Sequence, residues 1–271
     1  MPITIGFHDI AESDSSGQST AAGHTTVYTV DRDHLVDCLT EIRATLQAQT
    51  VELVGDRDEN EEDSVFITAD DGRLSTYTIL APVLEQFGWR GHFFITTDWI
   101  GLPDFLNEQQ IRELDSRGHL IGSHSCSHPR GMWTLSPSVL FREWSESRAR
   151  LANVLGHEVD VAAVPAGYYS RRVAEAAAAS GYRVLFTSEP TASTSVVETC
   201  RVLGRYTVRR HTSASVVGSI AGGDRWPRWK QATAWAATKT AKRVAGKWYL
   251  PLRKVVLDGL AARTQQHGNH A

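Results

Sequence analysis

The stretch Val65-Phe66-Ile67-Thr68-Ala69-Asp70-Asp71-Gly72 decides the fold, because an apolar run of strand length ends in two carboxylates and a glycine. A second apolar run is followed by a different polar segment, Ser123-His124-Ser125-Cys126-Ser127-His128-Pro129, which holds two histidines four residues apart. Buried parallel strands read as nearly continuous apolar runs, and parallel barrels carry their functional groups at the carboxyl ends of the strands. We therefore expect both polar segments to lie at one edge of a parallel sheet.

The two segments together supply the ligands of a metal site. A catalytic Zn²⁺ site has three protein ligands and one open position, and His124, His128 and one aspartate make three. Adjacent residues at a strand end point in different directions, so one aspartate binds the metal while the other stays free as a base. Metal-bound water has a pKa of roughly 7, and a free carboxylate can accept its proton, which predicts hydrolysis. The alternative of an ordinary turn and two coincidental histidines is disfavoured by the strand-like runs before both segments.

Apolar strand runs alternate with helical patterns along most of the chain. Helices are predicted at residues 34–47, 76–87, 107–117, 136–155 and 170–180. Strands are predicted at residues 3–9, 51–54, 92–96, 119–122, 159–164 and 183–187, besides the strand before Asp70, and residues 26–30 read as a strand or a binding loop. This α/β alternation predicts a parallel sheet, and together with the two motifs it favours a distorted (β/α) barrel over an open sheet.

The motifs resemble those of the NodB-homology polysaccharide deacetylases, a carbohydrate esterase family, and in particular its exopolysaccharide-associated type. The family motif T-F-D-D-G is matched by Thr68-Ala69-Asp70-Asp71-Gly72, and H-[ST]-x-x-H-P is matched by His124 to Pro129. By this resemblance Asp70 is the general base, while Asp71, His124 and His128 hold the metal. The resemblance also implies an N-acetylated saccharide as substrate and one divalent ion as cofactor, Zn²⁺ first, with Co²⁺ or Ni²⁺ as alternatives.

The third family motif, R-x-P-Y-G-like, reads Ala163-Val164-Pro165-Ala166-Gly167-Tyr168-Tyr169. Its arginine, which orients the base in the family, is an alanine here, so we expect the base to be held differently. Pro165 and Gly167 keep the loop geometry, and the backbone N–H of Ala166 is a candidate oxyanion donor. Pro165, Gly167, Tyr168 and Tyr169 are candidate substrate-binding residues, with ordinary loop packing as the alternative for the two tyrosines.

The proton donor of the family is also missing from its usual place. The Asp-Trp motif has no counterpart in residues 185–190, and the late Leu-x-His is absent. His8 and His211 are the two candidates for the acid. His8 ends the opening strand, and some members of the family begin with a similar Tyr-His-Asp segment. We favour His8, because barrel sites take catalytic groups from the carboxyl ends of strands, although either histidine could be merely structural.

Length and composition fit one barrel-sized domain at residues 1–224. The chain has 271 residues and 41% hydrophobic content, enough for a sizeable core. Its three cysteines, Cys38, Cys126 and Cys200, lack the spacing of a disulfide framework or a metal site. The absence of an exported leader and of an apolar run of roughly 18 residues leads us to expect a cytoplasmic protein.

Residues 225–271 differ in kind from the rest. This tail carries ten Lys or Arg and one acidic residue, so its net charge is +9 against −12 for residues 1–224. Its apolar residues fall on one helical stripe, Ala234, Ala237, Ala241, Val244, Ala245, Trp248, Leu252 and Val255. A basic amphipathic helix suits an anionic membrane surface, which predicts peripheral attachment to the inner face of the membrane. A helix packed on the barrel or in an oligomer is the alternative, and no nucleic-acid-binding module accompanies the charge.

These observations predict a metal-dependent N-deacetylase of amino-sugar saccharides in polysaccharide biosynthesis. Two other hypotheses remain open. The missing arginine and acid would fit a catalytically silent protein that binds metal and saccharide. The same metal and base would also serve the hydrolysis of another linear or cyclic amide, because they do not select the acyl group.

Overall fold

The central strands of the protein are buried on both faces. β1 (Ile3–Phe7) and β5 (Ser64–Ala69) are buried at every position, which explains their continuous apolar runs. They pair in parallel, with Ile3 opposite Val65 and Phe7 opposite Ala69. Their carboxyl ends therefore lie side by side, and the residues that follow them reach the same edge of the sheet.

The computed structural model describes residues 1–12, 27–46, 50–55, 64–167 and 169–245, with backbone alone at Thr50 and residues 238–245. The chain forms two compact units, Met1–Arg228 and Trp229–Ala271. All the elements of the sheet belong to the first unit.

The main sheet is a curled half-barrel with the order β10-β11-β9-β8-β7-β6-β5-β1-β12, and β4 pairs with β5. Its other strands are β4 (Thr50–Val51), β6 (His92–Ile95), β7 (Leu120–Ser123), β8 (Val161–Ala163), β9 (Val184–Phe186), β10 (Ser195–Val197), β11 (Cys200–Leu203) and β12 (Tyr206–Thr207). All pairs are parallel except β10 with β11. β2 (Asp9–Ala11) and β3 (Thr29–Asp31) form a separate parallel pair. The predicted distorted (β/α) barrel is confirmed.

Helices follow most of the strands, as the alternation predicts. They are α1 (Arg32–Thr45), α2 (Ala81–Gln86) after a π-helical turn at Thr76–Leu80, α3 (Glu108–Ser116), α4 (Pro137–Leu155), α5 (Arg171–Ala179) and α6 (Ala214–Ala221). Their ends follow local chemistry. The Asp31 carboxylate accepts from the His34 N–H at the start of α1, and Asn107 with Gln110 forms a capping box on α3. Gly156, with φ of 80°, ends α4.

A small aromatic cluster fills one face of the sheet below the carboxyl ends of the strands. Phe66, Phe94 and Phe186 are fully buried and meet edge-on or tilted, with Phe66 and Phe94 each packing on Phe186. Alternation along β5 places Phe66, Thr68 and Asp70 on the same side of the strand. Asp70 is therefore buried next to this apolar cluster, where little water can screen its charge.

The structure extends the predicted pattern after residue 187. Sequence patterns predict no regular element between that point and the tail, yet β10, β11, β12 and α6 lie there. These strands are two to four residues long, too short to show a period. The predicted strand at residues 51–54 is shorter, Thr50–Val51, and the segment at residues 26–30 contributes to β3 where it is described.

The C-terminal segment opens with α7 (Arg225–Ala245), which has no acidic residue in its first turn. The predicted apolar stripe begins within α7, but its residues beyond 245 lie outside the described part of the chain. Within the described ranges, no helix combines the length and the apolar character needed to cross a bilayer.

Candidate active site

The two motifs meet at the carboxyl ends of β5 and β7. Asp71, His124 and His128 each offer one ligand atom, and these atoms lie within 4.8 Å of one another. The Nε2 atoms of His124 and His128 are 3.5 and 3.3 Å from Asp71 Oδ1. The structure thus brings together the three residues that the sequence predicts as metal ligands.

Unusual backbone geometry aims these side chains. Asp71, Ser125 and His128 have φ values of 71°, 65° and 55°, in the left-handed region that residues other than glycine seldom adopt. Such conformations cost of order 1–3 kcal/mol each and cluster at functional sites. Because the chain turns at Asp71, its carboxylate lies against both histidines. The Asp70 carboxylate is also near the trio, with its Oδ2 3.9 Å from His124 Nε2.

The environment of His124 suits a metal ligand. Its Nδ1 lies 2.9 Å from the carbonyl oxygen of Ala163, which can only accept, so Nδ1 carries the proton and the Nε2 lone pair is free. Burial lowers the pKa of His124 to about 4, which keeps the imidazole neutral. Two imidazoles and a carboxylate form the ligand set of many catalytic zinc sites. The residues present therefore fit a divalent metal ion.

Glu143 of α4 holds the loop between the two histidines. Its carboxylate accepts from the backbone N–H groups of Cys126 and Ser127 at 3.1 and 3.0 Å and from the Ser127 hydroxyl at 2.7 Å. Cys126 is buried, and burial raises the pKa of its thiol to about 11, so the thiolate that a metal would need is disfavoured. No sequence motif singles out Glu143, which comes from a helix that follows the loop in the chain.

Arg205 holds the Asp70 carboxylate, a task that the arginine of the third motif would perform if it were present. Its Nη1 and Nη2 donate to Asp70 Oδ1 and Oδ2 at 2.5 and 2.8 Å, a bidentate pair in which both side chains are only 2% exposed. The guanidinium also donates to the Thr187 carbonyl at 2.9 Å and to the Thr68 hydroxyl at 3.3 Å. The arginine missing at Ala163 is thus replaced from a different part of the chain.

This pair keeps the Asp70 carboxylate ionised. Burial alone would raise its pKa, but the Arg205 guanidinium, followed by His124 and His8, holds the pKa of Asp70 below its usual range. Asp71 behaves in the same way: burial alone would raise its pKa, but His128, His124 and His8 together lower it. Both carboxylates are therefore charged at neutral pH.

Gly204 allows Arg205 to occupy its position. A Cβ on Gly204 would lie 2.3 Å from the Thr191 carbonyl oxygen, so only glycine fits between β11 and β12. The Arg205 N–H donates to the Glu189 carbonyl at 2.9 Å, which anchors the turn. The available sequence signal is a Gly-Arg pair directly after an apolar run, and sequence reasoning missed it because these strands are so short.

The sequence profile of the polysaccharide deacetylase family matches residues 57–185, which include both motifs. Residues 57–185 thus match the NodB-homology polysaccharide deacetylases, as the two motifs predict. The chain is 30% identical over 162 residues to "Putative polysaccharide deacetylase YxkH" of Bacillus subtilis (strain 168), a match that covers 59% of this chain and 56% of that protein. The matched region thus spans little more than half of that relative.

Solved structures of deacetylases share the fold. Streptococcus pyogenes deacetylase PplD superposes with a TM-score of 0.67 at 18% identity, covering 80% of this chain and 97% of that one. IcaB from Ammonifex degensii superposes with a TM-score of 0.63 at 18% identity, covering 82% and 97%. The half-barrel described above is therefore the fold of this family.

His8 lies next to Asp70, the carboxylate that the motif resemblance predicts as the base. Its Nε2 is 3.6 Å from Asp70 Oδ2, and its ring stacks on Tyr28 at 4.8 Å between centroids. The buried Nδ1 of His8 has no hydrogen-bond partner in the described part of the protein. His211 is exposed on the turn after β12. Of the two candidates for the acid, the structure brings His8 into contact with Asp70.

The third motif forms a short helical turn, Pro165–Gly167, directly after β8. Ala166 is exposed with φ of 54°, and Pro165 and Gly167 are buried. The turn begins two residues after Ala163, whose carbonyl contacts His124, so it lies beside the metal ligands. Tyr169 is half-buried and packs against the main core, while Tyr168 lies outside the described residues.

An aromatic stack that the sequence did not single out borders the metal ligands. Trp99 stacks on His128 at 5.0 Å between centroids, and Phe105 packs on Trp99 at 4.9 Å. The guanidinium of Arg73, one residue beyond the Asp-Asp-Gly motif, lies 4.7 Å over the Phe105 ring. These residues form a wall beside His128.

Proposed function

We propose that this chain is a metal-dependent hydrolase that removes N-acetyl groups from an amino-sugar saccharide. One observation carries the proposal: an ionised, buried carboxylate, Asp70, stands next to a trio of metal-ligand side chains. A ligand trio alone would suit a structural metal. A charged base held beside the trio by a bidentate arginine suits hydrolysis. The match of residues 57–185 to the deacetylase family supports amide cleavage as the reaction.

Asp71, His124 and His128 would hold the divalent ion. Zn²⁺ is the first choice for two imidazoles and a carboxylate, and Co²⁺ or Ni²⁺ would accept the same ligands. When bound, such an ion supplies a Lewis acid that polarises a carbonyl group and lowers the pKa of water to roughly 7.

The residues around this trio have separate tasks. Asp70 accepts a proton from the attacking water, and Arg205 keeps that carboxylate ionised and fixed in direction. The Ala166 N–H donates to the amide oxygen as it gains negative charge. His8 donates a proton to the leaving amine, for which its contact with Asp70 places it better than His211. Pro165 and Gly167 shape the turn that presents Ala166.

The missing arginine and acid motivate a second hypothesis, a catalytically silent protein that binds metal and saccharide. The Arg205–Asp70 pair and the contact of His8 with Asp70 count against this hypothesis, because they supply an arginine and a histidine beside the base. Hydrolysis of another amide uses the same residues and is separated from N-deacetylation only by the choice of substrate.

We also propose a cellular setting for this activity. The basic segment 225–271 would attach the protein to the anionic inner face of the membrane, where lipid-linked saccharides of polysaccharide biosynthesis are presented. The support is its net charge of +9 and its apolar stripe.

The test is acetate release from four forms of an N-acetylated amino sugar: free, nucleotide-linked, lipid-linked and polymeric. Release from at least one form by the parent, and none by Asp70→Asn with full metal content, supports N-deacetylation. Metal and saccharide binding without acetate release from any form would instead identify a silent binding protein.

A further inference from the structure

A turn rich in basic residues lies next to His8. Residues 209–212, here called the arginine turn, read Arg209-Arg210-His211-Thr212 and follow β12. The Arg209 N–H donates to the Thr212 hydroxyl at 3.1 Å, and the Thr212 N–H donates to the Arg209 carbonyl at 2.8 Å. The Arg210 N–H donates to the Val27 carbonyl at 2.9 Å, which ties the turn to the segment that carries Tyr28.

A continuous stack connects the arginine turn to the proposed base. The Arg209 guanidinium lies 5.9 Å from the centre of the Tyr28 ring. Tyr28 stacks on His8, and His8 contacts Asp70. The guanidinium therefore reaches His8 through two ring contacts, and His8 contacts the carboxylate that is proposed to activate water.

The charge of Arg209 is not neutralised by any carboxylate of the described residues. Some other arginines of the first unit pair with acids, such as Arg117 with Glu85 and Arg148 with Glu158. Others in the described ranges, among them Arg142 and Arg210, form no ion pair, so Arg209 is distinguished by its ring contact beside the site. Arg73 lies over the Phe105 ring, in the separate aromatic stack beside His128. It also has no ion pair within the described ranges. Asp70, which contacts His8, is already paired with Arg205.

An exposed guanidinium fixed on an aromatic ring is well suited to an anion. Its planar fork can form two parallel hydrogen bonds to a phosphate or a carboxylate, and the ring contact reduces the freedom lost on binding. A neutral saccharide would leave this charge unused.

We propose that the saccharide substrate carries an anionic group, a phosphate or a carboxylate, and that Arg209 binds this group beside His8. The inference rests on the proposed function for the identity of the saccharide. It adds a specificity-determining residue and narrows the substrate from amino sugars in general to acidic ones.

The test measures binding of three sugars to the full-length protein by calorimetry, separately from acetate release. N-acetylglucosamine is the neutral probe, its 1-phosphate carries the phosphate, and N-acetylmuramic acid carries a carboxylate. At least one acidic sugar should bind roughly tenfold more tightly than the neutral sugar. This preference should shrink as the salt concentration rises to about 0.15 M, because ions screen an exposed pair.

Arg209→Met should abolish the preference without changing metal content or the affinity for the neutral sugar. Arg142→Met, at an exposed arginine on α4, is the matched control and should keep the preference. Equal affinity for all three sugars, or a preference that survives Arg209→Met, would overturn the proposal. Loss of the preference in Arg73→Met but not in Arg209→Met would also overturn it. A preference without acetate release from any substrate would count against the proposed function and not against the anion site.

Discussion

The two sides of the site are built in different ways, although each contains one of two aspartates that are neighbours in the sequence. The metal side consists of Asp71, His124 and His128, which come from two short motifs after β5 and β7. The base side consists of Asp70, Arg205 and His8, which come from three separate places in the chain. Asp70 and Arg205 are 135 residues apart in sequence. A motif can therefore specify a ligand set by itself, whereas the environment of the base depends on the topology of the sheet.

The order β5-β1-β12 explains how the base side is assembled. β1 lies between β5 and β12, so His8 at the end of β1 lies between Asp70 and the segment that follows β12. Parallel pairing places the carboxyl ends of β1 and β5 at one edge. The two carboxylates have different main partners. Arg205 pairs with Asp70, whereas both histidines of the metal side lie within 3.5 Å of Asp71.

The largest effect is expected on the metal side. His124→Ala/His128→Ala should lose both the bound divalent ion and activity, because one carboxylate alone cannot complete the ligand set. Metal analysis of the purified variant and acetate release measure the two losses. His157→Ala, at an exposed histidine elsewhere, is the control and should change neither. Full metal occupancy in the double variant would refute the ligand assignment.

The next effect concerns the acid on the base side. His8→Ala should lower kcat by about 10² to 10⁴, the usual contribution of general acid catalysis, while metal content stays full. His211→Ala should behave like the parent, since His211 lies on the exposed turn. Steady-state kinetics of the two variants decide the matter. Normal turnover in His8→Ala together with a large loss in His211→Ala would exchange their roles.

Loss of Arg205 should affect both stability and pH dependence. Arg205→Met leaves the buried Asp70 charge unpaired and should cost about 3–5 kcal/mol of unfolding free energy. Asp70→Asn/Arg205→Met, which removes both charges, should be destabilised less. Chemical denaturation compares the two.

The pH profile gives the second measurement on Arg205. In the parent the pKa of Asp70 is below its usual range, so the base stays ionised as the pH falls through mildly acidic values. Without Arg205, burial raises that pKa, and the acid-side loss of kcat/KM should move to higher pH. An unchanged acid limb in a folded Arg205→Met protein would show that Arg205 does not control the base.

The smallest effect on catalysis is expected from the basic tail. Replacing Lys239, Lys242, Arg243 and Lys247 by Gln should reduce co-sedimentation with anionic vesicles, because each basic residue contributes about 1 kcal/mol near such a surface. Binding to neutral vesicles and turnover of a soluble substrate should remain as in the parent. Equal sedimentation of parent and variant with anionic vesicles would contradict membrane attachment.

The contrast between the metal side and the base side also explains which parts of the structure could be predicted from the sequence. Helices and strands between residues 64 and 187 were predicted within a few residues, because long apolar runs, caps and the Asp-Asp-Gly and His-x-x-x-His motifs are local signals. Arg205, Glu143 and the Trp99–Phe105 stack were missed. Each acts through a contact between elements that are distant in sequence, and no spacing rule reports such a contact. The absence of the usual arginine at Ala163 was visible in the sequence, but its replacement could be found only once β11 and β12 were placed.

The most direct test of the account compares Asp70→Asn with Asp71→Asn. If the two neighbouring carboxylates serve different sides of the site, Asp70→Asn should keep full metal content and lose acetate release, whereas Asp71→Asn should lose both. Metal analysis and acetate release on the same two preparations give the answer. Equal loss of metal in the two variants, or substantial turnover by Asp70→Asn, would contradict the division between a metal ligand and a base.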